Sequence, residues 1–196
     1  MMKKKSTILF LFILYGCSNT KTIAKFSNEN IAARSSWNAQ EAKPYKTHIP
    51  IRITVHHEGT KLAIDADAAK KINGIQKWGM GKEKNWADIP YHFLIAPNGK
   101  VYEGRSVYTV GETSTEYVPT RHLLICCLGN LNESKVPVAQ LKALIQTIEY
   151  TSTKYNIPID SLGTHKDFST QTTCPGKYLS AYFEGSYIKR ALQKMR

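Results

Sequence analysis

Apolar and polar residues recur along this chain with two different periods, and these divide it into strands and helices. Residues 51–55 alternate β-branched apolar side chains with Arg52 and Thr54, the period of a strand. The strand runs straight into His56, His57, Glu58 and Gly59. Residues 65–78 read as a helix, capped by Asp65 or Asp67 and stopped by Gly79. Residues 91–95 form a second strand, and the turn Pro97-Asn98-Gly99-Lys100 brings residues 101–103 back as its hairpin partner. Residues 122–128 are almost continuously apolar, as expected of a central strand covered on both faces. Val138, Leu141, Leu144, Ile145, Ile148 and Tyr155 recur at helical spacing on one face. A long amphipathic helix therefore opens near Pro137 and ends before Pro158. The mixture predicts a single α/β domain, a central mixed, mostly β sheet flanked by helices.

The first residues follow neither period. Lys3, Lys4 and Lys5 precede an unbroken apolar run over 8–15, then Gly16 and Cys17. A basic start, a short apolar stretch and a small residue before a break read as a secretory signal. The run is too short to span a bilayer, which takes about 20 residues. Residues 14–17 resemble a bacterial lipoprotein cleavage box, in which Cys17 becomes the lipidated N-terminus. Tyr15 stands where a small residue is usual, and a plain cleaved signal and an uncleaved anchor are the alternatives. The expected organisation is a signal peptide over 1–16, a lipid attachment and polar tether over 17–30, and one domain over 31–196. The expected place is outside the cytoplasm, lipid-anchored in a bacterial outer membrane and facing the periplasm.

Charge and cysteine count narrow the chemistry. The formal net charge is +12, and loss of Lys3, Lys4 and Lys5 with the signal leaves +9. A basic surface attracts polyanions. No helix-turn-helix, zinc-finger or RNA-binding signature accompanies it, so no nucleic-acid partner is expected. An exported protein meets anionic cell-wall polymer and lipid headgroups instead. Of the four cysteines, Cys126, Cys127 and Cys174 remain if Cys17 is lipidated. An odd number is a poor disulfide framework and leaves a thiolate for metal binding.

Three positions are candidates for a metal site. His56 ends an apolar strand, while His165 and Cys174 lie nine residues apart in what reads as a polar loop over 163–176. Imidazole and thiolate both suit zinc, and two His with one Cys leave a fourth tetrahedral position for water. Residue by residue the ordinary readings stand beside this one. A strand-end His is commonly a hydrogen-bonded structural residue, and a lone Cys before Pro is commonly just buried.

Several blocks, in order, resemble the type-two N-acetylmuramoyl-L-alanine amidases, a family that includes phage lysozyme-like amidases and animal peptidoglycan recognition proteins. They are residues 34–37, 53–59, 75–78, 86–95, 98–105, 125–130, His165 to Asp167, and 172–176. The resemblance covers roughly residues 31–185. It implies a peptidoglycan-recognition/amidase-like fold with Zn2+ held by His56, His165 and Cys174. It also implies that Tyr91 and Thr172 assist catalysis near the metal. The implied reaction is hydrolysis of the amide between the lactyl group of N-acetylmuramic acid and L-alanine, in cell-wall turnover or recycling, with peptidoglycan or muropeptides as partner. A non-catalytic peptidoglycan-binding module is the alternative, and a secreted effector amidase is a third reading that the lipid box disfavours. Some relatives bind without cutting and typically lack the Cys ligand, so Cys174 together with Tyr91 favours cutting.

Other residues read mainly as structure. His92 follows Tyr91 on an alternating strand and is expected on the opposite face. His48 and His122 have no partners at ligand spacing, and Cys126 and Cys127 read as buried, inert thiols. Arg105 is open between a substrate-carboxylate contact and a structural ion pair, Glu58 between a base and a bystander, and Asp167 between orienting a ligand and capping a loop. Trp37, Trp78 and Trp86 read as core or groove-wall packing.

Overall fold

The computed structural model describes residues 26–195. The expected signal peptide and the lipidation site Cys17 lie outside the described residues. The chain is in folded structure earlier than the sequence reading placed it. Phe26 packs edge-on against Tyr150 with ring centroids 5.7 Å apart, and Asn28–Asn30 forms a 3-10 turn. The part of the expected tether that is described, residues 26–30, is thus packed against the domain, because Phe26 supplies an aromatic side chain to its core.

In chain order the elements are β1 (Ile31–Ala32), β2 (Arg52–His57), α1 (Ala68–Met80), β3 (Phe93–Ile95), β4 (Val101–Glu103), β5 (His122–Cys127), α2 (Val138–Lys154), β6 (Leu162–Thr164), α3 (Lys177–Glu184) and α4 (Tyr187–Gln193). The six strands form one mixed sheet in the order β1-β4-β3-β5-β2-β6. The hairpin of β3 and β4 is antiparallel, and every other pairing is parallel. β5 lies between β3 and β2, which explains its apolar character on both faces.

Strand alternation assigns the two faces. Ile53, Val55, Phe93, Ile95, Leu123 and Ile125 join the core that α2 and α4 cover through Leu144, Ile148, Ile188 and Leu192. Leu94, Cys126 and Leu128 join the opposite core, built with Ile72 and Ile75 of α1 and with Trp37. By the same period-two rule His56 shares the α1 face with Thr54. It stands near the carboxyl end of β2, where parallel sheets commonly bind ligands.

Several boundaries moved. α1 starts at Ala68, because the Asp67 carboxylate caps it by accepting from Lys70 N at 3.0 Å. It continues through Gly79, which is buried against Trp86, where an added Cβ would lie 2.7 Å from the Trp86 ring. Val138 opens α2 but is 85% exposed, so the apolar stripe begins at Leu141. Ordered pairing in β3 begins at Phe93 rather than Tyr91. The expected loop over 163–176 contains structure: Gly163 and Thr164 end β6, and His165–Asp167 forms a 3-10 turn.

Candidate metal centre and groove

Parallel register brings the two histidines together. Val55 pairs with Thr164 across β2 and β6, so the next residues, His56 and His165, emerge side by side with ring centroids 4.5 Å apart. The turn that starts at His165 is held by Asp167, whose carboxylate accepts from Thr164 N at 2.7 Å and from the Thr164 hydroxyl at 2.9 Å. Asp167 therefore caps the loop, and the His165 backbone is fixed as a result. Lys166 N donates to Cys174 O at 2.9 Å, which folds the loop back and returns Cys174 to the end of β2. There its Sγ accepts from His57 N at 3.2 Å and lies 3.7 Å from His56 Nδ1.

One ligand atom from each of His56, His165 and Cys174 lies within 4.8 Å of the others, and all three residues are buried. Burial, reinforced by the neighbouring His165, His122, His57 and His92, holds the His56 pKa well below its usual value. Burial also lowers His165 to about 4, against an opposing pull from the Glu116 carboxylate. Both rings are thus neutral near pH 7 and offer lone pairs. Burial pushes the Cys174 thiol up to about 12, with the His57 N–H acting in the opposite direction. A buried thiol is costly to ionise unless a cation sits beside it, and two neutral imidazoles beside one thiol form the borderline-soft donor set that suits zinc. The residues present therefore fit a divalent ion of that kind.

The three residues line a groove of about 840 Å³. Lys71, Ile75 and Trp78 of α1 line it, as do Thr113, Ser114 and Thr115. Tyr91 lines the groove, its ring centroid 5.4 Å from that of His56. Burial raises its phenol pKa well above the usual value, and the Cys126 thiol lies within hydrogen-bonding reach of the phenol. Thr172 also lines the groove, and its hydroxyl accepts from Cys174 N at 3.1 Å.

The remaining candidates separate clearly. His92 points away from the groove. Its Nε2 lies 2.9 Å from Thr109 O, and its Nδ1 accepts from Leu124 N at 2.7 Å. His48 repeats the pattern, with Val107 O at Nε2 and Arg121 N at Nδ1, and His122 Nδ1 bonds the Thr54 hydroxyl at 2.8 Å. Arg105 is 1% exposed, bonded to Glu112 and to the carbonyls of Asp88, Ile89 and Val110, so it is committed to the structure rather than to a substrate. Glu58 lines the groove, but its carboxylate is paired with Lys71 at 2.8 Å and accepts from Thr60, so it is not a free base. Trp37 is core, donating Nε1–H to Glu103 O at 2.8 Å. Trp78 and Trp86 meet edge to face at 5.3 Å in the groove wall.

Sequence reasoning missed three consecutive residues. The Thr115 hydroxyl is 2.8 Å from His165 Nε2, the Tyr117 hydroxyl is 3.4 Å from His56 Nε2, and Glu116 bonds Ser169 and Thr170. They lie in an irregular connection with neither strand nor helix period, so nothing in the local pattern marked them.

A family model described as N-acetylmuramoyl-L-alanine amidase matches residues 46–177. Peptidoglycan recognition protein 3 of Homo sapiens is 38% identical over 77 residues. That match takes in 38% of this chain and 22% of the relative, so the chain spans well under two thirds of that protein. Among solved structures, the N-acetylmuramoyl-L-alanine amidase LysC from Clostridium intestinale URNW is 31% identical with a TM-score of 0.66. The likeness covers 83% of this chain and 97% of that one. Peptidoglycan recognition protein-LE, solved in complex with tracheal cytotoxin, is 26% identical with a TM-score of 0.69, covering 79% and 94%. With well over half its length matched and its six-stranded fold shared with these structures, the chain belongs to the N-acetylmuramoyl-L-alanine amidase family.

Proposed function

We propose that this protein is a zinc-dependent N-acetylmuramoyl-L-alanine amidase that hydrolyses the amide between the lactyl group of N-acetylmuramic acid and the L-alanine of the peptidoglycan stem. The observation that carries the reading is the convergence of His56, His165 and Cys174 in the lining of one groove. Likeness to LysC, an amidase, supports cutting, and the tracheal cytotoxin complex of protein-LE supports a muropeptide as the groove's occupant.

His56, His165 and Cys174 would hold the ion. Zinc bound there supplies a Lewis acid for the scissile carbonyl and lowers the pKa of water from about 15.7 towards 7. The chain's own groups do the rest. Tyr91 stays protonated because burial raises its pKa, so it acts as a hydrogen-bond donor and not as a base. The Thr172 oxygen already accepts from Cys174 N, which leaves its O–H to donate to the substrate carbonyl as negative charge develops there. The groove lined by α1 and by Thr113 and Ser114 would hold the rest of the substrate.

The chain's basic start, apolar run and Cys17 support export and lipid anchoring, with the domain at the outer membrane facing the periplasm and a role in wall turnover or recycling. Replacement of Cys17 by Ser should release the protein from membranes, and retention of that variant there would refute lipidation.

The test is mass analysis of products from defined muropeptides, with zinc and with chelator. Release of intact stem peptides in zinc alone is the expected result. Likeness to recognition proteins favours one second reading, a module that binds peptidoglycan without cutting it. Intact muropeptides, despite bound metal and a folded domain, would establish that reading instead.

A further inference from the structure

We propose that residues 115–117 form a strap that fixes the ring orientation and tautomer of both histidines at the metal centre, an inference that rests on the zinc reading above. Three consecutive side chains each take a separate partner. Thr115 Oγ1 lies 2.8 Å from His165 Nε2, and the Tyr117 hydroxyl lies 3.4 Å from His56 Nε2. Glu116, between them, fastens the strap to the loop that carries His165 and Cys174. Its carboxylate accepts from the Ser169 hydroxyl at 2.6 Å, from Thr170 N at 2.8 Å and from the Thr170 hydroxyl at 3.2 Å.

Hydrogen-bond direction follows from which ring nitrogen is left for the metal. Thr113 Oγ1 accepts from Thr115 N at 3.2 Å and lies 3.0 Å from Thr115 Oγ1. With Nε2 taken up by Thr115, a metal falls to His165 Nδ1; the Thr115 oxygen then accepts from Nε2–H, and Thr113 Oγ1 lies in reach of the Thr115 proton. A neutral imidazole with its proton on Nε2 leaves the Nδ1 lone pair for a metal. At His56, Nε2 faces Tyr117 and Nδ1 faces Cys174 Sγ, so a metal beside Cys174 takes Nδ1 and leaves the Nε2 proton to the Tyr117 oxygen. The Tyr117 ring is itself held, with centroids 5.0 Å from His165, 5.3 Å from His122 and 6.2 Å from Phe168. Both ligand rings are thus braced from behind by one short segment, through Thr115 Oγ1 and the Tyr117 hydroxyl. Thr115, Glu116 and Tyr117 are positioning residues, acting through the two ligand rings and the loop that carries them.

The experiment uses the folded protein with zinc as the probe. Zinc affinity is measured by competition with a chromophoric chelator, and imidazole 15N shifts are recorded on the zinc-loaded, labelled protein. Thr115→Val removes the acceptor with little change in volume. It should weaken zinc binding by about 10- to 100-fold, the usual cost of losing such a partner, and shift the His165 ring nitrogens. Thr115→Ser should restore most of the affinity, which a purely packing role would not produce. Tyr117→Phe, with its longer contact, should weaken zinc binding less and move the His56 signals rather than those of His165. It carries the test if Thr115→Val fails to fold. Wild-type affinity and unmoved ring shifts in Thr115→Val, or in Tyr117→Phe where that variant carries the test, would overturn the strap while leaving the metal site standing. A wild-type protein that takes up no zinc would overturn the metal reading itself.

Discussion

The chemistry at single residues turns on burial. Cys174 has a high thiol pKa and a hydrogen bond from His57 N, so in metal-free protein it behaves as a small buried group. Cys174→Ala should abolish amidase activity and most zinc affinity. The metal-free fold should lose the Sγ contacts to His57 N, His57 O and His56 Nδ1, roughly 1–3 kcal/mol, and chemical denaturation beside a zinc titration separates the two effects. Full activity with zinc retained would show that Cys174 is not a ligand. Tyr91→Phe keeps the ring that packs near His56 and deletes the donor. Its kcat should fall by about 10²-fold with KM little changed, because a bond made chiefly in the transition state is lost. Steady-state kinetics on a single muropeptide would check this, and a rise in KM at constant kcat would make Tyr91 a ground-state binder.

At the level of elements, the site is a product of register and of one close approach. β4 ends at Glu103, and Gly104 N then donates to His92 O while Arg105 N donates to Tyr91 O. A Cβ on Gly104 would lie 2.1 Å from Tyr91 O, a backbone atom that cannot step aside. Gly104→Ala should therefore displace Tyr91 from the groove and destabilise the fold by roughly 1–3 kcal/mol, measurable as a lowered Tm with reduced kcat. Unchanged Tm and kcat would mean the hairpin end is free to move. The same dependence on tertiary placement decides what the sequence could reveal. β2, β5 and α2 were legible because their periods extend over many residues. β6 is three residues long and includes Gly163, so it carries no period, and the pairing of Val55 with Thr164 that aligns His56 with His165 exists only in three dimensions. Tyr91 and His92 were expected on opposite faces, and they do diverge, although pairing in β3 begins only at Phe93. Thr115 and Tyr117 were invisible because their roles come from an irregular connection crossing in space to two ligand rings.

Across the whole molecule, histidines serve as cross-links between elements, and this makes the fold acid-sensitive. His92 joins β3 to Thr109 and to Leu124 of β5, and His122 joins β5 to Thr54 of β2. Burial is the main cause lowering both, to about 3 for His92 and about 4 for His122. At His92 the Nδ1 atom accepts a backbone N–H, so a proton there would set donor against donor. Between pH 6.5 and these values the unfolded chain binds protons that the folded chain refuses. Stability is then full above about pH 6.5 and falls as pH drops, with the two losses complete near pH 4 for His122 and pH 3 for His92. Each group contributes a slope of up to about 1.4 kcal/mol per pH unit. His56 and His165 have lowered values too and act in the same direction in metal-free protein. Urea denaturation of chelator-treated protein at pH 7.5, 6.5, 5.5 and 4.5 should therefore give midpoints that are level over the first step and fall steeply over the last two. Added zinc should raise the midpoint at pH 7.5 by mass action, and less at pH 4.5, where protons compete for the imidazoles and the thiol. A midpoint independent of pH down to 4.5 would mean that these rings are protonated in the native state as in the unfolded chain, His92 against the Leu124 N–H that now faces it.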